Sequence, residues 1–395
     1  MPGRWVALII GGAVAWGAAN GAPADAADEP RADVDAVAED PAGSGSSTAP
    51  PTPLEAPSEL PAALPAEQQA LRDRVRRCLA YYLFRPESTQ RRSPWAVMHV
   101  IIGFGVDASL LSSDREVNAI AWLCANGPCS GMQLLYAAGG SVGVHMGPGY
   151  QGHSGQLLAI LAQSRVKIDY PLVVQGRRLS MADLVRSEQA TCRSGTELTF
   201  KLIGLAHYLE PDAAWQADDG QAWSISRLIR EELDQPIVGA ACGGTHRLMG
   251  FSRAVRKQEK SGRPVAGQWL RAQEYVDKFH AYTFKLQNAD GSFSTNWFAS
   301  RGDQQDLDRR LETTGHTLEW LVYSLPPEQL GDERLVRAVS YLTELMWRYR
   351  GREWEIGPKG HALHALCLYD ERAFDGQPGQ RMQQLALRRT RERLQ

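Results

Sequence analysis

Histidine recurs beside glycine along this chain, in Gly152-His153-Ser154-Gly155, Gly244-Thr245-His246, Thr314-Gly315-His316-Thr317 and Gly360-His361. Imidazole suits acid–base work and metal ligation near neutral pH. Carboxylates that could assist are Glu197, Glu312, Glu319 and Asp290. His246 and His316 are the candidate catalytic acid–base residues, with Glu197 or Glu312 as carboxylate partner. Two acidic groups across a cleft would also serve glycosidic chemistry. Glu197 fits a helix-capping box and Asp290-Gly291 a turn, so each has a structural alternative. His153 and His361, with Trp95, Trp297 and Trp320, are candidate substrate contacts, the indoles by stacking on sugar rings or apolar chains. Core packing is the alternative for those rings. Cys242, His246 and His316 form a candidate metal set, which would need all three ligands at about 2.1 Å, a geometry that spacing cannot establish. No other cofactor is specified.

These residues fall in step with two further phrases, Ser93-Pro94-Trp95 and Ser194-Gly195-Thr196-Glu197. The six apparent helix starts at Trp95, His153, Glu197, His246, His316 and His361 lie about 45 to 60 residues apart, with one gap of about 70. Such a period marks an array of two-helix units. First helices are predicted at 67–84, 181–190, 225–233, 268–286 and 333–349, each with an apolar stripe against a charged face, as solvent-facing helices have. Second helices at 157–161, 198–209, 248–255, 318–325 and 362–368 are apolar on most sides and read as interior. The second unit must draw its first helix from 115–124, and the glycines at 139–143 read as a turn or hairpin. The expected fold is all-α, an (α/α)6 barrel or toroid of six helical hairpins with minor hairpin or loop insertions. If the second helices share one mouth, His153, Glu197, His246, His316 and His361 converge there with Trp95. The positive ends of the helices would then keep the imidazoles neutral. The polar segment 300–310 accounts for the long gap, either as a cover for that mouth or as a surface loop.

Three regions are expected: a secretory signal at 1–24, a Pro-, Ala- and acid-rich disordered tether at 25–65, and the helical domain at 66–395. The protein is therefore expected to be exported, periplasmic or extracellular, with membrane contact only through the signal if it stays uncleaved. With 43 Lys and Arg against 45 Asp and Glu, the chain has no basic excess, which excludes nucleic acid as an expected partner. Of six cysteines, Cys124 and Cys129 flank the turn Asn126-Gly127-Pro128 and are expected to form a disulfide.

Phe284-Lys285-Leu286-Gln287-Asn288-Ala289-Asp290-Gly291-Ser292-Phe293 resembles the repeat of squalene-cyclase and prenyltransferase-like toroids, and Gly351-Arg352-Glu353-Trp354 a degraded copy of it. That resemblance implies the toroid. The acid motif of the cyclases is missing, and only Cys242, His246 and His316 imitate the zinc set of the prenyltransferases. Residues 93–298 resemble an uncharacterised bacterial exported family, sometimes labelled as activating ADP-ribosylation-factor GTPases. No cysteine pair here has the spacing of the zinc finger that such activity needs, so no GTPase partner is expected. Two functions are left: an enzyme acting on a carbohydrate or small apolar substrate in the ring cavity, or a noncatalytic toroid binding a peptide, glycan or envelope component.

Overall fold

The computed structural model describes residues 64–386. The expected signal, nearly all of the tether and the basic tail around Arg388 lie outside the described residues.

Within them run α1 (Ala66–Leu83), α2 (Pro94–Phe104), α3 (Ala119–Cys124), α4 (Gln156–Gln163), α5 (Met181–Ala190), α6 (Thr199–Tyr208), α7 (Ile225–Leu233), α8 (Thr245–Lys260), α9 (Gln268–Leu286), α10 (Leu307–Ser324), α11 (Glu333–Arg348) and α12 (Ile356–Phe374), and residues 381–386 are also helical. The even-numbered helices pack in a closed cycle, α2 against α4, α4 against α6, and so on until α12 returns to α2. The odd-numbered helices lie outside them: α1 on α11 and α12, α3 on α2, α5 on α6, α7 on α6 and α8, α9 on α8, α11 on α10. Sequence pattern explains the division. α11 buries Leu335, Val339, Leu342 and Met346 on one stripe and keeps its charges outside, whereas α2 buries Val97, Met98, Ile101 and Ile102 on several sides.

The class is not all-α. Of the described residues 54% are helical and 11% are strand, in four small sheets. Strands β1 (Glu87–Ser88), β2 (Ser109–Ser112) and β3 (Arg115–Asn118) form one; β4 (Leu135–Ala138) with β5 (Ser141–Val144), β6 (Pro171–Val174) with β7 (Arg177–Ser180), and β8 (Ala214–Gln216) with β9 (Ala222–Ser224) are antiparallel hairpins. Three of the hairpins lead directly into outer helices through polar caps, Asn118 before α3, Ser180 before α5 and Ser224 before α7. The helix expected at 115–124 is accordingly half strand. Runs of four residues are too short to show a period, although Leu172 and Val174 on β6 do alternate with exposed neighbours.

Buried charge ties the layers together. Glu232 on α7 is wholly buried and accepts from the Leu198 amide (2.7 Å) and the Thr199 hydroxyl (2.5 Å) at the start of α6. It also accepts from Arg247 Nε of α8 at 2.8 Å, so one carboxylate joins three helices. The capping box expected at Ser194–Glu197 does not form, because Ser194 donates instead to Glu231 on α7. The looser box at Ser180 and Asp183 does form.

The expected Cys124–Cys129 disulfide is not made, and both thiols are free and buried. Trp122 packs its indole over Gly127, where a Cβ would come within 2.4 Å, and donates to the Pro128 carbonyl. The Cys129 thiol turns back to the Gly127 carbonyl at 3.6 Å. The turn is built on the indole, not on a cross-link. Burial pushes the Cys124 thiol up to about 12 and that of Cys129 to about 11. We expect both to resist a small alkylating agent in the native protein and to react once it is unfolded, as read by mass mapping. We also expect Glu232→Ala to cost about 3 kcal/mol in thermal or urea unfolding, because it leaves Arg247 buried without its carboxylate.

Candidate functional site

Three consecutive residues before α8 turn left-handed, Cys242 (φ 47°), Gly243 (φ 64°) and Gly244 (φ 88°). A Cβ on Gly243 would meet the Trp297 ring at 2.2 Å, and one on Gly244 would meet Ile237 at 2.2 Å. Only glycine fits there, and the turn brings Cys242 beside His246. Cys242 itself adopts a backbone conformation that costs a non-glycine residue roughly 1 kcal/mol or more. Trp297, opposite it, is also left-handed at φ 54°. Two such residues facing one another mark a place where geometry is held against local preference.

The glycines before His316 and His361 have another purpose. Both lie inside helices, so no turn is needed. A Cβ on Gly315 would sit 3.0 Å from Ala362, and one on Gly360 would come within 2.3 Å of the His99 carbonyl. Their absence lets α10, α12 and α2 approach closely. The His316 and His361 rings consequently stack at 3.9 Å, His246 lies 4.9 Å from His361 and 5.3 Å from His316, and His99 lies 5.6 Å from His361.

Ring nitrogens are oriented from behind. Nδ1–H of His316 donates to the Glu312 carbonyl (2.8 Å) and that of His99 to the Trp95 carbonyl (2.7 Å). His361 and His364 donate through Nδ1 to opposite oxygens of Glu319, at 2.8 and 2.5 Å. At His316 and His99, where a backbone carbonyl takes Nδ1–H, Nε2 is left as the unprotonated nitrogen, available for a ligand. Ligand atoms of Cys242, His246 and His316 all lie within 4.8 Å of one another.

Burial, then the neighbouring His361, lowers His246 and His99 to about 3 and His316 well below its ordinary value. A helix N-terminus is not the cause that sequence suggests at His316, which lies well inside α10, whereas His246 is the second residue of α8. The Glu319 carboxyl is held well below the usual range, burial being outweighed by His361 and His364. The Cys242 thiol is pushed up to about 12 by burial and then by Glu312, Glu319 and Glu197. Neutral imidazoles and surplus negative charge make the cluster receptive to a cation.

The other candidates are distributed around this centre. His153 pairs with Glu197 at 2.7 Å, partly exposed, and reaches His246 only through the Phe200 ring, stacked 4.7 Å from one and 4.9 Å from the other. Glu197 is therefore a partner of His153 and not of His246 or His316. Glu312 pairs with Arg309 at 2.8 Å and, with Cys242, Trp297, Phe298, Val238 and Asn296, lines an open cleft of about 600 Å³. Trp297 meets His316 edge-on, and Trp95 packs on His99. Trp320 is not a substrate contact: it is wholly buried, stacked on His280 at 4.9 Å and bonded to the Ser252 hydroxyl. His99 and His364 were not legible as site residues, since neither follows a glycine. Their signal was position, four residues after Trp95 and three after His361, on the same helix face.

Comparison with protein-family models, with curated proteins and with solved structures finds no match to this chain. Side-chain chemistry alone carries the functional argument.

Buried neutral histidines also set a pH response. His280, outside the cluster, is lowered to about 4 by burial, as is His207. An unfolded histidine titrates near 6.5. As pH falls below that value the unfolded chain takes up protons that the folded one refuses, so stability is greatest above about 6.5 and declines towards about 4. We expect the melting temperature of the metal-free protein to fall across that window, and less steeply in His280→Gln. A flat profile would contradict the burial described.

Proposed function

We propose that Cys242, His246 and His316 hold a divalent transition metal, zinc by their donor set, and that the protein is an exported metal-dependent hydrolase. Export rests on the reading of residues 1–24. The observation that carries the proposal is the convergence of one thiol and two imidazoles within 4.8 Å, with His316 oriented by a backbone carbonyl. Three protein donors with a further position open is the arrangement of catalytic zinc. The soft thiolate and the imidazoles favour zinc over the hard alkaline-earth ions. Binding must displace the thiol proton, and the nearby carboxylates that oppose a bare thiolate favour a dication in its place.

The metal would supply Lewis acidity, lowering the pKa of a bound water and polarising a substrate oxygen. His361, stacked on His316 and held at Nδ1 by Glu319, would be the side chain beside that water able to relay its proton. With a metal held there, hydrolysis would join the water oxygen to the substrate's electrophilic carbon and break that carbon's bond to the leaving group, with His361 beside the ligands as the group able to pass the proton between them. The cleft that opens on Cys242 is walled by Trp297, Phe298 and Val238, which suits a small substrate with an apolar face. Glu312 at its edge offers an acceptor for a substrate hydroxyl or amide.

Cobalt is the probe of choice, since a thiolate ligand gives a charge-transfer absorption that imidazole does not. We expect the purified chain to bind one cobalt or zinc ion with that absorption, and Cys242→Ser to lose the absorption while keeping its helical circular dichroism. Zinc at a hundredfold excess over its Kd should stabilise the wild type by about 2.7 kcal/mol. Cobalt binding without the thiolate signal, or no metal-dependent change in melting, would remove the metal and the hydrolase with it.

A further inference from the structure

At the end of the cycle away from Cys242, where the inner helices finish, basic side chains gather. Arg253 and Arg256 of α8 place their guanidinium groups 4.7 and 4.8 Å from the centre of the Tyr323 ring near the end of α10. Arg372 of α12 donates to the carbonyls of Val322 and Tyr323, and Arg256 to that of Leu325 at 3.3 Å. Those bonds employ part of Arg256 and Arg372 in satisfying the last carbonyls of α10. Arg253 has no such employment. Its Nε is buried and lacks a hydrogen-bond partner among the described residues.

The carboxylates nearby are already engaged. Glu371 takes Arg165 at 2.6 Å and Arg381 at 3.0 Å, and Glu210 takes Lys257 at 3.2 Å. The surplus of positive charge registers in the neighbours: burial and then Arg256 lower Arg372 to about 10, and after burial His207 is depressed by Arg253, Lys257, Arg165 and Lys260. Arg165, whose charge also bears on Arg253, lines a separate cleft of about 680 Å³ between the ends of α2 and α4 and the flank of α12, together with Glu371, His364 and Ser164; Arg253, Arg256 and Arg372 are not in its wall. The buried Ser164 hydroxyl likewise has no partner among the described residues.

We propose that Arg253, with Arg256 and Arg372, binds the phosphate group of a small-molecule ligand at this end of the helix cycle, a second site distinct from the metal cluster. A guanidinium presents its N–H groups in a planar fork that matches two oxygens of a phosphate, and such charge-assisted bonds are the strong ones. Two guanidinium groups beside the Tyr323 ring and a third on the backbone carbonyl of the same residue carry more charge than a single carboxylate would neutralise, which favours a dianion. Without an anion, Arg253 is a half-buried cation with no hydrogen-bonded counter-charge, because Glu319, which does bear on it, is held by His361 and His364, and such a condition destabilises the fold. Functional sites commonly retain such groups at the expense of stability.

The test uses the full chain with inorganic phosphate as probe, titrated calorimetrically into wild type, Arg253→Met and Arg253→Lys. Saturable binding by wild type is expected, weakened at least tenfold in Arg253→Met and by less in Arg253→Lys, which keeps the charge but loses the fork. Phosphate should raise the melting temperature of wild type and not of Arg253→Met, and phosphate-free Arg253→Met should melt higher than phosphate-free wild type. Absence of saturable phosphate binding by wild type, equal binding by Arg253→Met, or tighter binding of citrate than of phosphate would each overturn the proposal. So would binding to vesicles of anionic phospholipid without binding of soluble phosphate. A lower melting temperature for Arg253→Met in the absence of phosphate would make Arg253 a structural post on Tyr323.

Discussion

A single buried carboxylate sets the chemistry of the interior. Glu319 is 3% exposed, and an isolated charge there would be strongly unfavourable. It is tolerated because His361 and His364, one turn apart on α12, each give it an Nδ1–H. That arrangement fixes the orientation of both rings and leaves the His361 ring stacked on His316 and 4.9 Å from His246. Removing the carboxylate would release His361 to rotate and rob its imidazolium form of support. The helix cycle can surround a polar centre because the centre's donors and acceptors are matched within it.

Glycine governs how near the histidines come, by two distinct means. At Gly243 and Gly244 a left-handed backbone is required, and the side of each residue is occupied by Trp297 or Ile237. At Gly315 and Gly360 the backbone is ordinary helix, and what matters is the missing Cβ between α10, α12 and α2. An alanine at either position would push two inner helices apart by a few tenths of an ångström or more, enough to open a stack whose rings are 3.9 Å apart. Gly-His thus recurs along the chain as one phrase with two physical meanings.

The two ends of the cycle are electrostatic opposites. Around Cys242 lie Glu312, Glu319 and Glu197, offset chiefly by Arg309. Around Tyr323 lie Arg253, Arg256 and Arg372, with their nearest carboxylates otherwise engaged. Between them His316, His361, Glu319 and His364 form a continuous polar path through an otherwise apolar interior, and His364 lines the cleft that Arg165 borders. One end is suited to a cation and the other to an anion, an asymmetry that helix packing alone does not require.

Much of this could be read in the sequence, and the division is physical. Helical periodicity and cap residues are local properties, so the outer helices at 181–190, 225–233 and 268–286 coincide with α5, α7 and α9, and the Gly-His phrases pointed to His246, His316 and His361. The glycines at 139–143 announced the β4–β5 hairpin, but the other hairpins were missed because four-residue strands barely declare a period, and all-α was the wrong class for that reason. Ser194 and Glu197 form a valid capping sequence, yet Glu231 and Glu232 on another helix bind that segment more closely. Trp320 and Trp297 are the same residue type with opposite surroundings, one sealed in the core and one at a cleft. Local sequence determined which segments coil and which residues are chemically able; only the closing of the cycle decided which of them meet, because ring contacts, burial and buried charge pairs depend on helices far apart in the chain.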